Sequence, residues 1–243
     1  SACLVGSEMC IRDRGYFVHE KVERFEARPD KAVATPAFFG SFKVLKNHDL
    51  SVRAFYKRMF RMPTFNDLYY TDMGNAFLKP EYAEQFNVGL KYTRNFEKSP
   101  FMRMLDVSVD AYYNKITDKI IAYPKGQQFR WTMLNLGEVE IKGVDAVLNT
   151  QFSLGKLEVT TKFQYTYQKA IDITDPADTY YRDQIPYIPR HSGSAVVNLS
   201  WRGWNLNYSY IYVGERYNQQ ENIRYNYTQP WYTSDISLSL IHI

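Results

Sequence analysis

Long apolar runs are missing from this chain of 243 residues. None approaches the roughly 18 consecutive apolar residues of a membrane-spanning helix, so the sequence excludes that architecture. Cysteine is nearly absent as well, because Cys3 and Cys10 are the only two and both lie within the first ten residues. The rest of the chain can therefore form neither a disulfide framework nor a cysteine-based zinc site.

The chain also lacks a large net charge and recognisable catalytic motifs. The formal net charge of +4 is small and scattered along the chain, which argues against a nucleic-acid partner. The four histidines are isolated and show no metal-ligand spacing such as H-E-x-x-H. The segment "HSGSA" (191–195) lacks the G-x-S-x-G pattern of a nucleophile elbow, and no glycine-rich phosphate loop is present. The sequence thus argues against an enzyme and predicts neither a cofactor nor a metal site.

Aromatic residues, in contrast, make up 16% of the chain, and apolar residues alternate with polar ones. In "LDVSVDAYYNK" (105–115), Leu105, Val107 and Val109 alternate with Asp106 and Asp110. Successive side chains of a strand point to opposite faces, so this period predicts strands with one apolar face. We predict nine strands, at approximately residues 37–45, 50–57, 81–93, 104–122, 129–152, 156–169, 193–201, 204–214 and 231–240. Gly137 and Gly143 in the fifth segment suggest bulges or bends.

The connections between these segments alternate in length. The short ones lie at 46–49, 94–103, 153–156 and 202–203, and the long ones at 58–80, 123–128, 170–192 and 215–230. Outer-membrane barrels have short periplasmic turns and longer extracellular loops in this order. Stretches of more than ten alternating residues also exceed an ordinary soluble strand and match a strand that crosses a bilayer at a tilt. This pattern favours an all-β, antiparallel up-and-down meander.

The two faces of such a meander would meet lipid outside and water inside the barrel. We expect the outward set to include Val107, Val109, Leu157, Val159, Leu206 and Leu238. We expect the inward set to include Asp106, Asp110, Lys162 and Asn207. Aromatic residues cluster toward the strand ends, as they do in the girdles at membrane interfaces.

One block of sequence resembles a known family. The segment "RMPTFNDLY" (61–69), then "GN" (74–75) and "LKPE" (78–81), is similar to TonB-dependent receptors, which are active transporters of bacterial outer membranes. "NLGEVEIKGVDA" (135–146) resembles a further strand of the family, and the resemblance covers residues 16–240. The residues that carry the motif are Arg61, Pro63, Thr64, Phe65, Leu68, Tyr69, Gly74, Asn75, Leu78, Lys79, Pro80 and Glu81.

The resemblance implies an open fragment of a transmembrane β-barrel of about 22 strands in the outer membrane of a Gram-negative bacterium. It also implies uptake of a large, scarce ligand such as a metal–siderophore, haem or cobalamin. The partners would be outer-membrane lipid and, through an N-terminal plug that this chain lacks, the TonB complex. Two alternatives stay open: a passive porin, and a soluble carbohydrate-binding β protein whose exposed aromatic residues stack on sugars.

The long loops supply the candidate ligand contacts, because aromatic and arginine side chains are typical anchors of recognition surfaces. The candidates are Tyr69, Tyr70, Phe129, Arg130, Trp131, Tyr180, Tyr181, Arg182, Tyr217, Arg224, Tyr225 and Tyr227. The basic and acidic stretch at 21–31 is interpreted as a solvated loop.

The two ends of the chain do not continue the pattern beside them. "SACLVGSEMCIRDR" (1–14) and "LIHI" (240–243) resemble translated sequencing-adapter sequence. We therefore expect residues 1–15 and 241–243 to be non-native additions to an internal piece of a longer receptor.

Overall fold

A computed structural model of the chain describes residues 2–4, 8–12, 14–18, 31–44, 49–70, 73–97, 99–125 and 130–240. Almost all regular structure is β. The strands are β1 (Ala2–Leu4), β2 (Glu8–Arg12), β3 (Gly15–Val18), β4 (Lys31–Ala34), β5 (Ala37–Lys43), β6 (Asp49–Arg61), β7 (Glu81–Asn95), β8 (Met102–Lys125), β9 (Arg130–Leu154), β10 (Leu157–Asp172), β11 (His191–Trp201), β12 (Trp204–Val213), β13 (Arg216–Tyr217), β14 (Tyr227–Thr228) and β15 (Trp231–Leu240).

Eleven of these strands form one antiparallel sheet in the order β1-β2-β5-β6-β7-β8-β9-β10-β11-β12-β15. The nine strands predicted from the alternation are β5 to β12 and β15, and they follow one another as an open up-and-down meander, which confirms the fold class. Two small hairpins, β3–β4 and β13–β14, stand apart from the main sheet. They were not predicted, because segments this short carry too few alternating residues.

Among the residues that the structure describes, helix is confined to two short pieces in the long loops. These are helix α1 (Phe65–Tyr69) and a 3-10 turn (Arg224–Asn226). Within the described ranges, no helix is long and apolar enough to cross a membrane.

The register of the sheet separates the two faces as the alternation predicts. Val159 is paired in an unbroken row with Leu199, Leu206 and Leu238 on successive strands. On the other face, Asp106 is paired with Asn149, which is paired in turn with Lys162. Each row therefore keeps one chemical character across several strands, as two different media on the two faces require.

The two glycines of β9 differ. The ladder with β8 runs unbroken through Gly143, so no bulge lies there, whereas the pairing is interrupted at Gly137, opposite Asp118, which has a φ of 54°. The register shift of this strand pair lies between Met102 and Met104. A Cβ at Gly143 would collide with the ring of Tyr112. Gly143 thus leaves room for an aromatic side chain from the neighbouring strand.

A row of aromatic rings crosses the apolar face at the end that bears the long loops. Tyr56 lies 4.8 Å from Phe86 between ring centroids, and Phe86 lies 6.3 Å from Tyr113. Just past this row the same face becomes charged, where Lys142 lies 2.8 Å from Glu140. The change from apolar to charged marks one border of the apolar band.

The opposite border lies at the short turns, where Trp201 and Trp204 are paired. On β10 and β11 the apolar band extends from Leu157 to Tyr167, which is paired with His191. These ten steps cover about 33 Å along the strand, or roughly 25 Å across a bilayer at a tilt of about 40°. The band thus has the height of the lipid-facing belt of an outer-membrane barrel.

Candidate ligand-binding loops

The connection between β6 and β7, residues 62–80, begins with a capped helical turn. Thr64 and Asp67 form a reciprocal capping box: the Asp67 N–H donates to Thr64 Oγ1 at 3.2 Å, and the Thr64 N–H donates to Asp67 Oδ2 at 2.9 Å. Arg61 donates to Asp67 at 3.3 Å and lies 3.6 Å from Glu81 at the start of β7. The carboxylate of Glu81 also accepts from the Ile120 N–H at 3.1 Å. These contacts hold both ends of the loop together and onto β8.

Two asparagines tie the rest of the loop to the β8–β9 hairpin. The Asn75 amide donates to the Met133 carbonyl at 3.0 Å. Asn135 accepts from the Lys79 N–H at 2.8 Å and donates back to the Lys79 carbonyl at 3.1 Å, so its side chain pairs with the loop much as a strand would. The same amide donates to the Asp118 carbonyl at 2.7 Å. The loop is thereby anchored over the wall at several points.

Buried apolar side chains complete this anchor. Leu68 and Leu78 are 7% and 2% exposed and pack with Ile120 of β8. Gly74 permits the tight return of the chain, because a Cβ there would lie 2.6 Å from the Tyr70 nitrogen. Phe65 and Phe77, in contrast, are 75% and 92% exposed. The family motif therefore builds a rigid base that displays aromatic side chains.

The connection between β10 and β11, residues 173–190, is organised around one buried amide. Gln184 is 2% exposed; it donates to the Ile188 carbonyl and accepts from Arg190 Nε at 2.6 Å. Ile185 packs beside it against Val139 and Ala170 of the wall. Every polar atom of the Gln184 amide group has a partner within this loop, which specifies a single loop conformation.

The last long connection, residues 214–230, is bonded to the loop before it. The Tyr187 N–H donates to the Tyr217 carbonyl at 2.8 Å, and Gln220 donates at 2.9 Å to the carboxylate of Asp172, the last residue of β10. The last loop is therefore bonded both to the loop before it and to the end of β10.

The predicted contact residues divide into exposed and supporting side chains. Tyr225 is 92% exposed, Tyr70 58% and Tyr181 37%, and Arg182 and Arg224 are also exposed. Tyr69, Trp131, Tyr180 and Tyr217 are half-buried. Phe129 lies outside the described residues, as does the side chain of Arg130.

Some predicted residues are brought into contact across the chain. Tyr217 and Tyr227 meet edge to face with ring centroids 6.3 Å apart. The Tyr227 hydroxyl donates to Glu215 at 3.1 Å, and partial desolvation together with this carboxylate raises the pKa of Tyr227. The hydroxyl therefore stays a hydrogen-bond donor throughout the neutral range.

Besides Phe65, which was predicted only as a motif residue, two exposed loop aromatic residues are not among the predicted contacts. Tyr187 lies 5.9 Å from Trp131 between ring centroids, so this contact connects loop 173–190 to β9. Phe77 stands alone between the "GN" and "LKPE" parts of the family motif. A single aromatic residue among turn residues, as in "NAFL" and "IPYIP", is the signal that could have identified both.

The polar face of the wall carries paired charges. Arg53 of β6 reaches across β7 to Asp110 of β8, with Nε 3.0 Å from Oδ1. Asp106 accepts from Thr93 at 2.7 Å and from Asn149 at 3.0 Å. Over the described ranges, no group of three or more His, Cys, Asp or Glu side chains is arranged to hold a metal ion. This arrangement provides a hydrated, hydrogen-bonding surface with rigid loops above it, which suits binding.

Comparison with known proteins agrees with this geometry. A family model described as TonB dependent receptor-like, beta-barrel, matches residues 16–240. Vitamin B12 transporter BtuB of Photobacterium profundum is 32% identical over 174 residues, which is 68% of this chain and 25% of that protein. A second BtuB, from Vibrio vulnificus, is 32% identical over 99 residues, or 41% of this chain and 14% of that protein. The chain thus spans about a quarter, or less, of the length of these curated relatives.

Solved structures share the fold at low sequence identity. The copper transporter OprC has a TM-score of 0.67 at 14% identity, over 95% of this chain and 36% of its own. The siderophore receptor PiuA from Acinetobacter baumannii has a TM-score of 0.62 at 14% identity, over 95% of this chain and 33% of its own.

The open meander, with its apolar band and its one-sided long loops, defines a segment of a β-barrel wall. The chain belongs to the TonB-dependent receptor family, and residues 16–240 fall within that family's β-barrel domain. The family and the curated relatives that match this chain are receptors and transporters and not enzymes.

Proposed function

We propose that the chain forms wall and extracellular loops of an outer-membrane active transporter that takes up a cobalamin. The observation that supports cobalamin as the ligand is the 32% identity to a vitamin B12 transporter over 68% of the chain. The siderophore receptor PiuA, by comparison, is similar to this chain at only 14% identity, which supports a shared fold and not a shared ligand.

The proposed contacts are the exposed side chains of the three anchored loops. These are Phe65, Tyr70, Phe77, Tyr181, Arg182, Tyr187, Arg224 and Tyr225, with Tyr69, Trp131, Tyr180 and Tyr217 as partly buried support. A cobalamin presents a broad ring system edged with amides, which aromatic faces and arginine donors can contact together. Because the motif residues and Gln184 already hold these loops in one conformation, less conformational entropy is lost when a ligand binds.

The other partners follow from the two faces of the wall. The polar face with its Arg53–Asp110 pair would contact water and the plug of the complete receptor, which couples uptake to the TonB complex. The apolar band would contact outer-membrane lipid.

Transport can be tested with the complete receptor gene in a Gram-negative strain that lacks its own cobalamin receptor. We expect uptake of radiolabelled cyanocobalamin that is lost when tonB is deleted. Uptake that continues without TonB would indicate a passive porin. TonB-dependent uptake of a ferric catecholate but not of cyanocobalamin would contradict the proposed ligand.

The loop contacts can be tested by direct binding to the purified receptor. Replacing both loop tyrosines, Tyr181→Ala with Tyr225→Ala, should weaken cyanocobalamin binding roughly tenfold or more, since anchors of this kind each contribute above about 1 kcal/mol. The matched control is Tyr232→Ala, which removes an exposed tyrosine from the apolar face of β15 and should leave affinity unchanged. Equal effects of the double variant and the control would refute the assignment.

A further inference from the structure

The short-turn end of strands β9 to β12 carries a continuous apolar row on the lipid-facing side. The register pairs Leu154 with Leu157, Leu157 with Trp201, and Trp201 with Trp204. Leu154, Trp201 and Trp204 are each more than two-fifths exposed. The row therefore presents large apolar side chains to whatever surrounds the wall at this level.

These side chains line an open groove of about 380 Å³. Its walls are Leu157, Leu199, Trp201, Trp204 and Leu206. All five lie on interior strands of the sheet, so the groove does not depend on the sheet edges.

Two cations stand directly beyond the groove. The register that pairs Leu157 with Trp201 leaves Lys156 and Arg202 opposite each other one step further along, in the two neighbouring turns. Arg202 and Gly203 both have positive φ, 46° and 87°, as a two-residue type I′ hairpin turn requires. This turn brings the Arg202 guanidinium over the Trp201 ring, 5.4 Å from its centroid.

Both cations are exposed. Within the ranges that the structure describes, neither Lys156 nor Arg202 takes part in an ion pair. A mixed surface of this kind, apolar on the lipid side and positive at its rim, is complementary to a molecule with an acyl chain and a phosphate.

We propose that this surface is a binding site for an anionic phospholipid of the periplasm-facing leaflet. One acyl chain lies in the groove between Trp201 and Trp204, and the headgroup phosphate accepts from Arg202 and Lys156. The short turns face the periplasm in barrels of this type, so the site is level with that leaflet. The inference rests on the proposed outer-membrane location and not on the identity of the transported ligand.

Native mass spectrometry of the complete receptor in detergent can test the site. The receptor is titrated with dioleoyl-phosphatidylglycerol and, separately, with zwitterionic dioleoyl-phosphatidylcholine. Each basic residue near a membrane surface contributes about 1 kcal/mol to anionic-lipid binding. Arg202→Gln and Lys156→Gln should therefore each lower retention of phosphatidylglycerol roughly fivefold, and the double variant should retain both lipids equally. Trp204→Ala should lower retention of both lipids alike.

The matched control is Lys162→Gln, which removes one positive charge from the opposite face of β10 and should leave the lipid preference unchanged. Glycerol phosphate, the headgroup without acyl chains, should not be retained. Retention of glycerol phosphate, or a double variant that still prefers phosphatidylglycerol, would overturn the site. The circular-dichroism melt of each variant in detergent reports its folding. Cyanocobalamin binding, measured separately on the same samples, distinguishes failure of the lipid site from failure of the proposed transport function.

Discussion

Gly89 lies between two charged side chains that belong to the strands on either side of it. The register pairs Gly89 with Arg53 on β6 and with Asp110 on β8. A Cβ at this position would lie 2.8 Å from Arg53 Nε and 2.9 Å from Asp110 Cγ. The missing side chain therefore opens the path along which the ion pair crosses β7, as Gly143 does for the Tyr112 ring. Gly89 and Gly143 thus let a side chain cross a strand, which the strand pattern alone does not reveal.

Gly89→Ala should destabilise the receptor by about 1–3 kcal/mol, because the new methyl group displaces the Arg53–Asp110 pair in a crowded site. The urea midpoint of the complete receptor in detergent measures this loss. Gly40→Ala is the matched control: Gly40 also lies within a strand, but nothing lies within 4 Å of its Cβ position, so the change should be neutral or stabilising by a few tenths of a kcal/mol. Equal urea midpoints for the two variants would contradict the conclusion that Gly89 leaves space for the Arg53–Asp110 pair to cross β7.

At the scale of elements, the connection 62–80 behaves as an extension of the wall. Its α1 turn is capped by Thr64 and Asp67, and its later part pairs with the Asn135 side chain. Buried Leu68 and Leu78 pack on Ile120 below. Such a loop costs little to order when a ligand binds, because its conformation is already specified in the free receptor.

Asn135→Ala should lower the free energy of opening of loop 62–80 by about 1–3 kcal/mol. The change removes three hydrogen bonds to backbone groups of residues 79 and 118. Chymotrypsin cleavage after the exposed Phe77 should become roughly tenfold faster in the complete receptor, because cleavage follows the population of the open loop. Asn205→Ala is the control, since no side-chain hydrogen bond of Asn205 is found in the described structure. An unchanged cleavage rate in Asn135→Ala would show that the loop is held by other contacts.

At the scale of the whole molecule, the described sheet is open. Its outer strands are β1 and β15, and all ten residues of β15 are exposed. Unpaired strand edges invite association with other chains, and in lipid each unsatisfied backbone group costs several kcal/mol. The apolar band is also far larger than the patches that soluble monomers expose.

This polypeptide, expressed by itself, should therefore form inclusion bodies and fail to refold as a monomer in detergent, whereas the complete receptor should refold. Size-exclusion chromatography with light scattering distinguishes the two outcomes. A soluble monomer that melts cooperatively in buffer without detergent would refute both the open-wall structure and the lipid-facing role of the apolar band.

The strands and their faces were determined by the sequence itself, because a period of two is a local property of the chain. The segment predicted at 231–240 is β15, and the one predicted at 204–214 is β12 within one residue. Strand β6 is longer than predicted and ends at Arg61 in place of residue 57, because its last residues pair with the start of β7. That pairing is a long-range contact that the local pattern does not contain. Family membership came from the motif and not from the alternation.

Which loop residues stand together was decided only by the tertiary structure. The sequence alone identified Tyr225 and Tyr181 as loop aromatic residues, but not the bonds between their two loops. One such bond joins the Tyr187 N–H to the Tyr217 carbonyl, and Gln220 bonds to Asp172 at the end of β10, forty-eight positions away. Gln184 holds its own loop in shape through Ile188 and Arg190. A buried amide and a solvated one look the same in a sequence, since burial is set by the chain segments that pack around it. The strands are therefore determined by the local sequence, whereas the shape of the binding loops follows from hydrogen bonds that exist only once the wall has formed.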